Sequence, residues 1–105
     1  MNVLENIPYI DEGLGKRKLL DEKHILVMQI ALKPGQMVPQ HNANSNVQLL
    51  IMKGAVSVDM NGAEHKAKEG DLIPVKYQTP MTIKNDSGTN ATFLVIKTPN
   101  PSEMG

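Results

Sequence analysis

Residues 34–54 read PGQMVPQHNANSNVQLLIMKG, and this stretch decides the fold. Gly35 and Gly54 bound it, and between them stand His41, Ala43 and Gln48. A second stretch, GDLIPVKYQTPMTIKN at residues 70–85, opens on Gly70 and carries Met81 and Asn85. Glycines at such places permit turns that other residues resist, so short strands can fold back on one another. Along a strand, residues i and i+2 point the same way. Two imidazoles at that spacing, with a carboxylate and a third imidazole from later strands, make a transition-metal site. Here the spacing offers one imidazole, His41.

Strand signals surround both stretches. Lys16 to Leu20 reads as a first strand, and His24 to Lys33 as a second that is apolar on both faces until Pro34-Gly35 breaks it. Val47 to Lys53 is again apolar on both faces except at Gln48, and Gly54 separates it from Ala55 to Met60. Asn61-Gly62 is the strongest local signal, because a two-residue hairpin turn needs φ > 0 at both central positions. The resulting register pairs Met60 with Ala63, Val58 with His65 and Val56 with Ala67 on one face. It also sets Asp59 against Glu64, a mildly unfavourable like-charge pair. Leu72 to Val75, Met81 to Asn85 and Ala91 to Thr98 complete the set, with a turn cluster at residues 85–88. Short strands bounded by turn residues indicate an all-β sandwich or barrel.

Composition narrows the function. A chain of 105 residues supports one domain. Eleven basic and eleven acidic residues balance, which removes the electrostatic case for nucleic acid or an anionic membrane surface. Without cysteine there is no disulfide, thiolate zinc site or thiol nucleophile. The apolar run Ile25 to Leu32 falls far short of the ~20 residues that span a bilayer. The N-terminus carries Glu5 and lacks a basic-then-apolar pattern, so a cytoplasmic protein is expected. Only three residues are aromatic, so aliphatics and seven methionines must fill the interior.

Pro34-Gly35-(five residues)-His41-x-Ala43-(four residues)-Gln48-(five residues)-Gly54 resembles the first motif of the cupin superfamily. Gly70-Asp71-Leu72-Ile73-Pro74, with Thr79-Pro80-Met81-(three residues)-Asn85, resembles the second. The likeness covers residues 24–98. It implies a double-stranded β-helix (jelly-roll) barrel with a pocket in its mouth, often assembled as a homodimer. Residues 1–23 are then an N-terminal arm and first strand, and residues 99–105 a flexible tail. Leu4, Ile7, Tyr9 and Ile10 of the arm are placed to cover a sheet edge.

The resemblance also implies where metal ligands would stand: His41, Ala43, Gln48 and Met81. Ala43 has no donor atom, Gln48 offers a neutral amide, and the Met81 thioether suits soft ions. The second block departs further at Lys76 and Gln78, where the family pattern expects Pro and Gly. No cofactor is therefore expected, and any divalent metal would rest on His41 and Gln48. The expected site is a mostly apolar pocket for a small molecule, with His41 and Gln48 as polar points and Leu50, Met52, Met81 and Ile83 as walls. The alternatives are a metal-dependent dioxygenase or isomerase with a reduced ligand set centred on His41, and a metal-free enzyme with His41 as base and Tyr77 as acid. His65, on the apolar face of the hairpin, is expected to be a core or semi-buried histidine, and His24 an exposed edge residue.

Overall fold

Every second residue of the central strands is buried, and this alternation builds two facing sheets. The computed structural model describes residues 1–104. Its strands are β1 (Gly15–Glu22), β2 (Ile25–Leu32), β3 (Met37–Asn42), β4 (Asn46–Lys53), β5 (Ala55–Met60), β6 (Ala63–Lys68), β7 (Leu72–Val75), β8 (Pro80–Lys84) and β9 (Ala91–Thr98). A five-stranded sheet runs β1-β2-β9-β4-β7 and a four-stranded sheet runs β3-β8-β5-β6, with antiparallel pairing throughout. The inner faces supply the core as i, i+2 pairs: Ile30 and Leu32, Val47 and Leu49, Val56 and Val58, Met81 and Ile83, Phe93 and Val95. Phe93, the one phenylalanine, is fully buried at the centre of this layer. This is the jelly-roll arrangement that the two glycine-bounded stretches led us to expect.

The hairpin register is as expected: Met60 pairs with Ala63, Val58 with His65 and Val56 with Ala67. Asn61 and Gly62 take φ of 54° and 83°, as a tight hairpin turn requires. Asp59 does face Glu64. The conflict is eased because Asp59 Oδ1 accepts from the Gly62 N–H at 3.0 Å, and Glu64 lies 3.7 Å from the Lys66 ammonium. Burial is where the hairpin differs from expectation. β6 is an edge strand, and His65 is exposed, with Ala67 the one buried residue of the strand. Pairing fixed which face His65 shares, but beyond β6 there is no further strand to cover it.

β3 is the strand that sequence reading passed over. Pro39 sits in it, and a proline cannot donate to a ladder, so the segment carries a weak strand signal. The tail also differs. Asn100 is buried, donates to Asp21 Oδ1 and the Glu22 carbonyl, and caps a 3₁₀-helix over Pro101–Glu103. The arm covers the outer face of β1 and β2 and not only an edge. Arg17 donates to the carbonyls of Asn6 and Glu5, and Gln29, fully buried beneath the arm, donates to the Val3 carbonyl at 2.7 Å. Asn85 closes the turn after β8, donating to the Leu32 and Thr89 carbonyls and accepting from Ser87.

Gly54, between β4 and β5, has φ of 77°, and a Cβ there would lie 2.4 Å from the Asn90 carbonyl oxygen. Gly35 has a similar φ of 85° but faces open space. Both alanine variants are strained by about 1–2 kcal/mol. Gly54→Ala adds a backbone collision, so its loss of stability in urea melts should exceed that of Gly35→Ala by at least about 1 kcal/mol. Equal losses would mean that the approach of Asn90 to Gly54 is not a structural constraint.

Candidate functional site

A cavity of about 240 Å³ opens between the two sheets. Strand alternation determines its walls. β2 contributes Met28 and Ile30, β4 contributes Val47 and Leu49, and β8 contributes Met81 and Ile83. β9 contributes Phe93, Val95 and Lys97, three residues of one face whose last member carries charge. Lys16 on β1, with Leu14 before it, and Asn44 after β3 complete the wall together with Val38 and His41.

His41 reaches the cavity through a break in the alternation. Val38 pairs with Ile83 and His41 with Met81, so three steps along β3 match two along β8. That is a β-bulge, and the extra residue turns His41 to the face that Val38 occupies. Pro39 lies within the bulge, where its missing N–H removes no ladder bond, and its carbonyl is 3.0 Å from His41 Nδ1. With Nδ1 donating to that carbonyl, Nε2 is the free polar atom of the ring.

Of the six residues expected to form the pocket, His41, Met81 and Ile83 come together. Gln48, Leu50 and Met52 do not. Val47, Leu49 and Ile51 are 1%, 0% and 1% exposed and face inward, so their alternate neighbours face outward. Gln48 pairs with Ile96 and Pro74, and Leu50 with Leu94 and Leu72, on the outside of the five-stranded sheet. Asn46 and Gln48, the uncharged polar residues of β4, share the outward set, whereas the motif spacing places Gln48 in the pocket. Sequence reading did not single out Val47, Leu49, Met28, Phe93, Val95 and the two lysines as lining. Tyr77 is 42% exposed and outside the lining, so it does not share the cavity with His41. His24 is exposed, as expected, and 3.6 Å from Glu22.

The donor set does not fit a divalent metal. Among the described residues no three His, Cys, Asp or Glu side chains converge. Ala43 is buried without a donor atom, the β4 positions facing the cavity are Val47 and Leu49, and Met81 stands beside His41. The positive end of the cavity has its own electrostatics: burial pulls the Lys97 ammonium below its ordinary pKa, and Lys16 adds to the shift.

The relatives agree with this architecture. The uncharacterized protein MJ0764 of Methanocaldococcus jannaschii is 33% identical over 88 residues, which is 83% of this chain and 76% of the relative. Its crystal structure, described as an RmlC-like cupin family protein with a double-stranded β-helix fold, superposes with a TM-score of 0.82 over 98% of both chains. The chain belongs to this RmlC-like cupin family. TT1209 from Thermus thermophilus shares the fold with a TM-score of 0.88 at 22% identity, covering 96% of this chain and 97% of that one. A predicted oxalate decarboxylase from Thermotoga maritima shares it with a TM-score of 0.74 at 23% identity, covering 82% and 80%. Both of the latter are likenesses of fold. No family model matches the chain.

His41 is exposed and bonded within its own bulge, so it carries little of the stability. His41→Ala should shift unfolding free energy by less than about 1 kcal/mol in chemical denaturation. A loss of about 3 kcal/mol would make it a structural histidine and remove it from the site.

Proposed function

We propose that the barrel is a non-catalytic binder of a small, mostly apolar molecule, held in the inter-sheet cavity without a resident metal. One observation carries the reading: the cavity walls are ten aliphatic, thioether or aromatic side chains with four polar ones at hand, Lys16, His41, Asn44 and Lys97. Apolar pockets with a few convergent polar groups are ordinary ligand sites. Gln48 lies on the opposite sheet face, which leaves the metal-enzyme alternative one imidazole and an amide beside a thioether. Tyr77 outside the cavity likewise leaves His41 without the acid that a metal-free mechanism needs.

At ~30 Å³ per water volume the cavity suits a ligand of about eight heavy atoms. Hexanamide is a neutral probe of that size. Calorimetry should give saturable binding near 0.1–1 mM, roughly what eight well-buried atoms provide. Val38→Phe, at the half-buried mouth, should weaken it about tenfold. Unsaturable uptake, or binding indifferent to Val38→Phe, would contradict the reading, as would stoichiometric metal in protein purified without chelator.

The same proposal includes a homodimer in the cytoplasm. Its interface would be the outer face of the five-stranded sheet, where half-buried Val27, Leu50, Leu94 and Ile96 adjoin exposed Leu72. A twofold dimer needs a single self-complementary patch of this kind. Light scattering should report a dimer that Ile96→Lys converts to a folded monomer; a monomeric parent protein would refute the assembly.

A further inference from the structure

Lys16 and Lys97 are the least explained feature of the cavity. Each lies in the wall of a mostly apolar space, on β1 and β9, and no Asp or Glu lines it. Among the described residues, three of the ten lysines, Lys18, Lys33 and Lys66, have carboxylates within 4 Å; Lys16 and Lys97 are among the seven that do not, and they are the two that line the cavity. The chain has eleven acidic residues to eleven basic ones, so this is no consequence of a basic protein. It is a local choice of sign.

That choice is unfavourable for the empty barrel. Lys97 is half-buried, and both its burial and the like charge of Lys16 disfavour its charged form. An unpaired charge at the edge of an apolar space is only partly hydrated and has no counter-ion, and the usual remedy is a partner of opposite sign. Where the folded chain supplies no partner, a ligand can. Groups kept at a cost to stability are characteristic of binding sites.

We propose that the cavity takes a small monocarboxylate with an apolar body, its carboxylate on Lys97 with Lys16 as second cation, and its body against Met28, Val38 and Val95. This rests on the binding function proposed above and assigns its ligand class. The donor set and the aliphatic walls favour a carboxylate over a phosphate. A phosphate dianion calls for several converging N–H donors, such as a helix N-terminus or an arginine fork, and the wall has neither. A carboxylate needs one or two charge-assisted bonds and tolerates an aliphatic surround. Asn44 is a further donor in the same wall.

The test compares hexanoate with hexanamide, which has the same carbon chain and no charge, by calorimetry on the full chain at neutral pH. The parent protein should bind hexanoate at least about tenfold more tightly than hexanamide, the scale of a hydrogen bond to a charged group. Lys97→Met should erase that advantage, and Lys16→Met should reduce it in part. Added salt should weaken hexanoate and spare hexanamide. The ligand-free Lys97→Met protein should melt no lower than the parent, because it loses a desolvated charge; a lysine with a structural role would lower the melting temperature instead. Lys97→Gln provides the same comparison if the methionine variant does not fold. Equal binding of the two probes by the parent, or an advantage that survives Lys97→Met, would overturn the carboxylate assignment and leave the apolar binder intact. Failure of both probes to bind would overturn both.

Discussion

A β-strand can present only every second side chain to one side, and in this barrel that restriction governs everything at the site. β2, β4, β8 and β9 each commit one alternate set to the space between the sheets, and Phe93 is the residue around which those sets meet. Once Leu49 points in, Gln48 must point out, whatever the chemistry might prefer. A polar group can reach the cavity only on an inward position, as Lys97 does, or by breaking the alternation. His41 takes the second route. The bulge at Pro39 and Gln40 inserts one residue opposite β8, and the carbonyl exposed there accepts from the imidazole it has re-aimed.

The same restriction explains what could be read in the sequence. Gly54 and the Asn61-Gly62 pair announce themselves, because few other residues tolerate their backbone conformations, and the strands between them follow from short apolar runs. The facing of β4 was legible only in its two uncharged polar residues. Leu50 and Met52 are as apolar as Leu49 and Ile51, but Asn46 and Gln48 share their set and mark it as outward. The glycine-bounded motif then drew Gln48 into the pocket by spacing, one residue from the inward position. β3 was hidden by Pro39, the same residue that makes the bulge, and the sequence Val38-Pro39-Gln40-His41 was the signal that an out-of-register histidine would follow. His65 was placed on the correct face and misjudged in depth, because a strand pattern does not say which strand is the edge.

Packing and charge at the cavity argue in one direction. Its walls are mostly apolar, with flexible Met28 and Met81 among branched aliphatics. Its polar groups are cationic or neutral donors, without an acid to balance them or a ligand set to hold a metal. On the proposed reading, a barrel of this family keeps its frame of glycines while its interior serves recognition by shape and by one sign of charge.

Methionine methyl groups provide the most direct test, since they sit on both sides of the disputed sheet. Met28 and Met81 line the cavity, and Met52 lies on the outer face. In spectra of protein labelled at the methionine methyls and titrated with hexanamide, the account predicts progressive shifts of Met28 and Met81 with Met52 unmoved. Shifts centred on Met52, with Met28 and Met81 silent, would contradict it and return the site to the face that holds Gln48.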